Sequence, residues 1–400
     1  MLNKKLATIA GAVALAATGA VAQDKTELNY SGWINLYPHH AAAVGAIEEG
    51  FEEKFPDVDW ILNDVAFDQA LKQATVASLA GNAPDNIHLI AGWVPALHDI
   101  GALEPLNDYF TEEEWAQIPE ASLESVTFDG QIMAMPWVPG PIIMFYNRNL
   151  MEQAGLDPDA PPQTWPELMD AAKAICALPD VDGAPIYGIA LRTARNPNSA
   201  QWTIPIIYGQ DGDVVDEDGN VTFNTPEVAA AYEWVKELTD SGCSPSGFTI
   251  DETRNTMAAG RAGFIFEGPW GRGLFNNLSG GEITTAADGD IWAAQMPMSP
   301  SGERRTIGNP HEITTAYFEA SSQLSTGSLP LLTSGVMGED AYTQLFVEAL
   351  PNTTDNPIKS PKFYAVMDDL VVALQAIIQG GEIEDELANA ERKAERTMRR

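Results

Sequence analysis

The protein has 400 residues, of which 45% are hydrophobic, 8% are aromatic and 20% are charged. This composition is typical of a folded globular protein and excludes disorder over most of the chain, and the length predicts two or three domains or two large lobes. The 57 acidic and 22 basic residues give a formal net charge of −35, which excludes the phosphate backbone of nucleic acid as an attractive partner.

The N-terminal residues have the three regions of a secretory signal peptide. Lys4 and Lys5 precede an apolar stretch, Leu6–Ala17, which the small residues Gly19–Ala22 follow. The apolar stretch is shorter than the roughly 20 residues that cross a bilayer, which favours a signal peptide over a transmembrane anchor. We therefore expect cleavage after Ala22. Because no cysteine lies near that bond to carry a lipid, we expect a soluble protein in a Gram-negative periplasm.

Alternating strand and helix patterns follow the signal segment. Extended apolar runs predict strands, and apolar residues at helical spacing predict helices. In chain order the strands are Thr26–Ile34, Val58–Val65 and Asn86–Ala91, and the helices between them are Ala41–Phe55 and Phe67–Ala80. Such alternation predicts an α/β layered lobe with parallel strands.

A second α/β lobe is predicted from the middle of the chain. Two helices have a threonine at the N-cap and a proline in the first turn, and they begin at Thr164 and Thr225. Between them lie a strand-like run, Ile186–Leu191, and a hairpin around Asp218–Asn220. Two further helices are predicted near the C-terminal end, at Lys362–Gln379 and Glu382–Arg400.

The two cysteines, Cys176 and Cys243, leave two interpretations open. In an oxidising compartment they can form a disulfide, whereas a buried thiol at each position fits the sequence equally well because their spacing matches no disulfide framework. The sequence contains no Cys-x-x-Cys motif for a metal or redox site.

Metal and cofactor signatures are weak throughout the sequence. His39 and His40 are adjacent, so their side chains point in different directions, and their spacing to the other histidines forms no ligand motif. The acidic run Asp216–Asn220 with Glu227 is similar to a calcium loop, but Val221 stands where that loop needs glycine. Nucleophile-elbow, phosphate-loop and zinc-hydrolase motifs are also absent from the sequence. We therefore predict no metal, no cofactor and no enzymatic activity.

Several short segments occur in the order and spacing of one protein family. No single segment is specific, but together they cover nearly the whole chain after the signal segment. The segments are Gly81–Asp85, Gly101–Leu106, Phe128–Pro136, Phe145–Leu150, Ala154–Leu156, Pro162–Leu168, Ala259–Phe264, Glu267–Trp270 and Gly327–Pro330. On these segments the chain resembles the extracellular solute-binding proteins of carbohydrate ABC importers, family 1 type.

The resemblance implies an α/β fold of two lobes joined by a hinge, with a ligand held in the cleft between them. Closure is then a hinge equilibrium that the ligand biases through its higher affinity for the closed form. The implied partners are a small carbohydrate and the membrane subunits of an ABC permease, and the implied protein is a monomer that is not itself embedded in the membrane.

The resemblance also implies where the lobes divide. Residues 23–137 and 267–322 would form the N-terminal lobe, and residues 138–266 and 323–400 would form the C-terminal lobe. The chain would cross between lobes near Val138–Met144 and near Phe264–Pro269.

One segment departs from the family pattern. Relatives usually carry a long helix between the strand that matches Ile313–Ser322 and the Gly-x-Leu-Pro segment, whereas here only Gln323–Thr326 intervene. We therefore expect the first lobe to lack a helix that normally covers its sheet, which would leave apolar surface open.

Aromatic residues near strand ends are the candidate ligand contacts, because the C–H faces of a sugar ring stack on aromatic rings. Trp33 and Trp93 follow predicted strands at their carboxyl ends, where open α/β sheets bind ligands. Trp270 matches a family position that stacks on sugar, which makes it the leading candidate. The remaining candidates are Tyr37, His39, Trp137, Trp202, Glu267, Asn309 and His311.

The sequence thus predicts a periplasmic binding protein that captures a sugar, oligosaccharide or polyol and delivers it to a permease. Two alternatives stay open. A secreted glycoside hydrolase would place two carboxylates roughly 5 to 10 Å apart across a bound sugar, and the same fold could take a polyamine or another non-sugar solute. The net charge does not decide between these ligands, because it sets the long-range field rather than the chemistry of the cleft.

Overall fold

The structure of the protein is a computed structural model. It describes residues 25–36, 45, 48–116, 118, 120–138, 140–181, 183–308, 311–315, 341–355 and 357–399. The predicted signal peptide at residues 1–22 lies outside the described residues, and so does the segment Gln323–Thr326 that departs from the family pattern.

The first part of the chain alternates strands and helices, as predicted. The strands are β1 (Thr26–Gly32), β2 (Val58–Asp64), β3 (Asn86–Ile90), β4 (Thr127–Phe128), β5 (Gln131–Ile132) and β6 (Met135–Val138). The helices are α1 (Phe67–Leu79), α2 (Val94–Asp99), α3 (Glu112–Trp115) and α4 (Glu120–Val126). A further helical segment, residues 48–54, precedes β2.

The rest of the chain carries the longer helices. Its strands are β7 (Ile143–Asn147), β8 (Tyr187–Ile189), β9 (Ala262–Glu267), β10 (Ile291–Ala294), β11 (Thr306–Gly308), β12 (His311–Thr315) and β13 (Thr353–Asp355). Its helices are α5 (Arg148–Gln153), α6 (Trp165–Cys176), α7 (Pro197–Gln201), α8 (Ile204–Tyr208), α9 (Pro226–Asp240), α10 (Ile250–Ala258), α11 (Gly271–Leu278), α12 (Ala341–Ala349), α13 (Phe363–Ile378) and α14 (Ile383–Arg399).

The first lobe is built on a five-stranded sheet in the order β2-β1-β3-β12-β6. β1 is parallel to β2 and β3, whereas β12 runs antiparallel to both β3 and β6. All five residues of β3 are buried, as expected for a central strand with both faces covered. One core of this lobe contains Trp33, Leu89 and Trp93, and another contains Tyr30 and Trp60.

The second lobe is built on a four-stranded sheet in the order β10-β7-β9-β8. β7 is antiparallel to β10 and β9, and β8 is parallel to β9. The largest hydrophobic core packs against this sheet and draws on α6, α9, α13 and α14, with Trp165, Tyr232, Leu370 and Leu387 among its buried residues. These two sheets with their helices confirm the predicted α/β fold of two lobes.

Two predicted helix starts are confirmed by their caps. The Thr164 hydroxyl accepts a hydrogen bond from the Glu167 N–H, and the Glu167 carboxylate accepts one from the Thr164 N–H in return. The Thr225 hydroxyl accepts a hydrogen bond from the Val228 N–H at 3.3 Å at the start of α9. Such caps satisfy N–H groups that have no partner inside the helix, and each contributes about 1 kcal/mol of stability.

The segments that connect the lobes pair with each other. The chain passes from β6 to β7 and returns from β11 to β12. Pro141 forms a bridge with Gly308, and the Ile142 N–H donates a hydrogen bond to the Ile307 carbonyl at 3.0 Å. β13 pairs in parallel with β11 and extends this ribbon. The predicted crossing near Val138–Met144 is therefore where the chain first changes sheets.

The second crossing differs from the prediction. After β9 the chain forms α11, which packs into the core of the second lobe, and β10, which pairs with β7 in the same sheet. The chain therefore does not cross near Phe264–Pro269, and it rejoins the first sheet only at β12. Of the residues 267–322 that were predicted for the N-terminal lobe, β12 does join the first sheet, whereas the prediction is wrong for α11 and β10, which belong to the second lobe. The physical reason is a non-local strand pairing, because β7 takes its second partner from residues 291–294.

Cys176 and Cys243 form a disulfide, which decides between the two interpretations that the sequence left open. Their Cα atoms are 5.2 Å apart, within the usual range for a bridge. The bond joins the end of α6 to the loop after α9. The N–H groups of Gly188 and Ile189 in β8 donate to the Cys243 carbonyl at 2.8 and 3.2 Å, so the bridge also anchors this strand.

Replacing both cysteines with alanine is expected to lower the free energy of unfolding by up to about 4 kcal/mol, because the disulfide closes a loop over a sequence separation of 67 and restricts the unfolded chain. Guanidinium denaturation followed by circular dichroism measures this loss. A reducing agent should destabilise the wild type to a similar degree and leave the double alanine variant unchanged. The same effect of the reducing agent on both proteins would contradict a stabilising disulfide.

Candidate ligand cleft

The carboxyl ends of strands from both sheets lie next to the segments that connect the lobes. In the first sheet Ile90, the last residue of β3, pairs with His311, which also pairs with Val138 at the end of β6. In the second sheet Glu267, the last residue of β9, pairs with Ile143, where the chain enters β7. Open α/β sheets bind ligands beyond the carboxyl ends of their strands, so the residues after β3 and β9 border the candidate cleft.

Trp33 and Trp93 lie on the first-lobe side of this cleft, but each is only 3% exposed. Their rings pack edge to face with centroids 5.4 Å apart, and the Trp33 ring stacks on His88 at 3.9 Å. Trp93 Nε1 donates a hydrogen bond to the hydroxyl of Tyr364, in α13 of the second lobe, at 2.8 Å. In this conformation both indoles take part in packing within or between lobes, and their role as ligand contacts stays a prediction.

Glu267 is buried on the second-lobe side of the cleft, where both of its carboxylate oxygens are occupied. Arg192 Nη2 and Arg254 Nε each donate a hydrogen bond to Oε2 at 2.7 Å. Oε1 accepts from Arg254 Nη2 at 3.2 Å, from the Gly268 N–H at 3.1 Å and from Trp270 Nε1 at 2.6 Å. The prediction of Glu267 as a direct ligand contact is therefore corrected, because its oxygens bind protein donors instead.

Two guanidinium groups share this single carboxylate. Burial by itself would raise the pKa of the Glu267 carboxyl, but the charges of Arg254 and Arg192 outweigh burial and lower the pKa to about 2. Burial lowers the pKa of the Arg192 guanidinium, because one shared carboxylate compensates only in part for the lost water. The cluster is thus an ionised group of side chains in the interior of the second lobe.

Trp270 is partly buried and follows β9 at the same edge. It packs against the two hydrophobic clusters of the second lobe. Its six-membered ring lies over Gly268, where an added Cβ would be 2.3 Å from the ring carbon Cη2. Glycine at position 268 therefore makes room for the indole, while the hydrogen bond to Glu267 sets the direction of the ring.

Trp202 packs inside the second lobe and is 7% exposed. Its Nε1 donates to the Phe266 carbonyl at 3.0 Å, and the Arg192 guanidinium lies 3.9 Å from its ring centroid in a cation–π contact. Among the described residues, Arg192 Nε and Nη1 find no hydrogen-bond partner. Arg192 also borders a cavity of about 10 Å³ between Trp202 and Thr193, which has room for one water molecule. A ligand role for Trp202 stays a prediction.

The other predicted contacts are only partly described. Tyr37, His39 and Asn309 lie outside the residues that the structure describes. Trp137 is part of β6 and His311 begins β12, so the backbones of both lie where the chain changes sheets. Their ligand roles stay predictions.

Sequence reasoning missed three residues at this site, Arg192, Arg254 and Tyr364. A signal for Arg192 was available, because it directly follows the strand-like run Ile186–Leu191, as Trp93 follows its own strand. Arg254 and Tyr364 carry no local signal, since their partners lie 13 and 271 positions away in the sequence.

The run with a calcium-like pattern forms a turn. Asp216 Oδ1 accepts hydrogen bonds from the N–H groups of Asp218 at 3.0 Å and Asn220 at 2.8 Å, and Val215 bridges Val221 across the predicted hairpin. Within the described residues, no three His, Cys, Asp or Glu side chains are grouped as a metal site would require. In the same part of the chain, no helix has the length and apolarity needed to cross a membrane.

The sequence of the chain is similar to those of solute-binding proteins. The family of bacterial extracellular solute-binding proteins matches residues 38–315. A Brucella abortus protein described as a binding protein is 26% identical to this chain over 270 residues. The match covers 66% of this chain and 61% of the Brucella protein, so this chain spans less than two thirds of the length of that relative. The sn-glycerol-3-phosphate-binding periplasmic protein of Agrobacterium fabrum is 25% identical over 181 residues, which cover 43% of this chain and 41% of the relative.

Structural comparison gives the same fold. The solute-binding protein of an ABC transporter from Thermotoga lettingae, solved with alpha-D-tagatose, has a TM-score of 0.81 and 22% identity to this chain. The likeness covers 94% of this chain and 100% of the Thermotoga chain. At this level of identity it establishes the shared fold and not a shared ligand.

Glu267→Gln is expected to lower the free energy of unfolding by about 3–5 kcal/mol, because two buried guanidinium groups lose their counter-charge. Urea denaturation measures the loss. The matched control is Glu237→Gln, since Glu237 pairs with Lys173 at the surface and exposed pairs contribute less than about 1 kcal/mol. Equal losses in the two variants would rule out a stabilising role for the buried cluster.

The stabilisation by Glu267 should also depend on pH, with a defined sign. Folding lowers the pKa of the Glu267 carboxyl from its ordinary 4.5 to about 2. The ionised carboxylate therefore stabilises the folded state fully at pH values above 4.5, and this stabilisation is lost as the pH falls toward 2. The difference in unfolding free energy between the wild type and Glu267→Gln should be constant from about pH 8 to about pH 5.5 and shrink below about pH 4. A difference that grows on acidification would show that the sign is wrong.

Proposed function

The chain belongs to the family of bacterial extracellular solute-binding proteins, and we propose that it captures a small solute between its lobes for delivery to the membrane subunits of an ABC importer. The main support is that the carboxyl edges of both sheets lie next to the paired crossing segments, so that ligand contacts from both lobes can converge. A hinge of this kind closes when the solute binds the closed form more tightly than the open form.

The proposed ligand class is a sugar, oligosaccharide or polyol. Trp270 supports this class, because it is a partly buried indole at the cleft edge and aromatic faces stack on the C–H groups of sugar rings. The Thermotoga lettingae structure contains alpha-D-tagatose, and the Agrobacterium fabrum relative is named for sn-glycerol 3-phosphate. A polyamine fits less well, since two arginines share one carboxylate at this edge.

The proposed activity is binding without chemical change. A glycoside hydrolase needs a general acid whose carboxyl pKa is raised, together with a second carboxylate. Glu267 is a buried carboxylate at the edge of the candidate cleft, and its pKa is lowered to about 2. It is therefore unsuited to protonate a leaving group at neutral pH.

The proposed location is the periplasm, reached through the predicted signal peptide at residues 1–22, with a soluble monomer as the mature form. The family is extracellular, and the Agrobacterium fabrum relative is periplasmic. The disulfide between Cys176 and Cys243 suits an oxidising compartment.

Expression of the full chain in a Gram-negative host is expected to yield a periplasmic protein that begins at Gln23, because a signal peptidase would cut after Ala22. Mass spectrometry of the osmotic-shock fraction measures the start of the chain. A variant without residues 1–22 serves as the control and should stay in the cytoplasm. Unprocessed protein in the membrane fraction would contradict the proposed location.

A thermal-shift screen with D-tagatose, ribitol, maltotriose, sn-glycerol 3-phosphate and spermidine is expected to give a carbohydrate or polyol hit. A ligand present at 100 times its dissociation constant stabilises the folded state by about 2.7 kcal/mol, which raises the melting temperature. Chromatography should recover the hit unaltered. Stabilisation by spermidine alone, or release of a cleaved sugar, would contradict the proposed class.

Trp270→Ala is expected to weaken binding of the hit at least about tenfold, which corresponds to about 1.4 kcal/mol of lost stacking. Isothermal titration calorimetry measures the dissociation constant. The control is Trp115→Ala, since Trp115 lies in α3 of the first lobe and packs edge to face on Phe110. Unchanged affinity in Trp270→Ala would remove Trp270 from the site.

A further inference from the structure

The indole of Trp270 is held from two directions. Its Nε1 donates to Glu267 Oε1 at 2.6 Å, and hydrogen bonds to an ionised carboxylate are shorter and stronger than neutral ones. Its ring covers Gly268 so closely that a Cβ there would lie 2.3 Å from Cη2. The ring therefore has one end fixed by a hydrogen bond and one face fixed by the backbone.

The carboxylate that holds this indole is itself immobile. The side chains of Arg192 and Arg254 are 2% and 9% exposed, and together they donate three hydrogen bonds to Glu267. Oε1 is thereby presented to Trp270 from a defined position. Burying charged groups costs more than packing apolar side chains of similar volume, so stability alone does not account for this cluster.

We propose that Glu267 is a positioning residue that fixes the Trp270 indole in the orientation used for ligand stacking, with Arg192 and Arg254 holding its carboxylate. This inference rests on the proposed function. A ring that is already fixed loses little freedom when a ligand binds. If the ligand must immobilise the ring, the conformational freedom lost on binding weakens the affinity roughly two- to tenfold.

The ligand-free protein provides the first test, through the indole N–H resonance of Trp270 in a spectrum of 15N-labelled protein. Trp270→Phe identifies this resonance by its loss. In the wild type the hydrogen should exchange with solvent far more slowly than that of an exposed indole, and Glu267→Gln should shift the resonance and speed the exchange. Fast exchange in the wild type, or an unchanged resonance in Glu267→Gln, overturns the proposal.

A double-mutant cycle on affinity tests whether Glu267 acts through the indole. Dissociation constants for D-tagatose and maltotriose are measured by calorimetry for the wild type, Glu267→Gln, Trp270→Phe and the double variant. We expect Glu267→Gln to weaken binding roughly two- to tenfold in the wild type and to add no loss in Trp270→Phe, which keeps a ring but lacks the N–H donor. Equal losses in both backgrounds overturn the proposal.

If Glu267→Gln does not fold, Gly268→Ala tests whether affinity depends on the orientation of the Trp270 ring. It displaces the indole sterically and leaves the three guanidinium hydrogen bonds to Glu267 in place. The expected result is the same two- to tenfold loss of affinity, and an unchanged affinity overturns the proposal. If no carbohydrate or polyol of the thermal-shift screen binds the wild type, the proposed ligand class is wrong, while the exchange rate of the Trp270 indole hydrogen still decides whether Glu267 fixes the ring.

Discussion

The backbone pairing between the two segments that join the lobes is the constraint on which the rest of the structure depends. The Ile142 N–H donates to the Ile307 carbonyl at 3.0 Å, and the Thr306 hydroxyl donates to the Ile142 carbonyl at 2.6 Å. Because the crossings are bonded to each other and to β13, they form one ribbon rather than separate tethers. This ribbon keeps the carboxyl edges of both sheets next to the same crossing segments, and for that reason the residues after β3 and β9 border the candidate cleft.

Local signals in the sequence were enough to predict most individual elements. Thr164 and Thr225 cap helices because a hydroxyl next to the first N–H groups needs no distant partner. The strand β3 could be predicted because Ile87, Leu89 and Ile90 form a short apolar run. The second crossing could not be predicted in this way. The chain order after β9 gives no indication that residues 291–294 pair with β7, since a strand pairing depends on the edge that is open in three dimensions.

The place of the candidate residues in the fold could be predicted from the sequence, whereas their contacts could not. Strand-end reasoning placed Trp33 and Trp93 at the carboxyl edge of the first sheet, yet it could not show that their rings pack against each other or that Trp93 is bonded to Tyr364. The same limit applies to Glu267, which the sequence offered as a ligand contact. Its guanidinium partners come from different parts of the chain, so only the folded structure reveals that its oxygens are occupied.

The disulfide has a topological consequence for this site. Arg192 lies within the covalent ring that Cys176 and Cys243 close, whereas Glu267 lies outside it, 75 positions along the chain. Once the ring is closed, the shortest covalent path between the two charges runs through the sulfur bridge and is much shorter than the linear chain. In the oxidised denatured protein this shortcut reduces the entropy lost when the guanidinium and the carboxylate meet, so the disulfide also favours the Arg192–Glu267 contact.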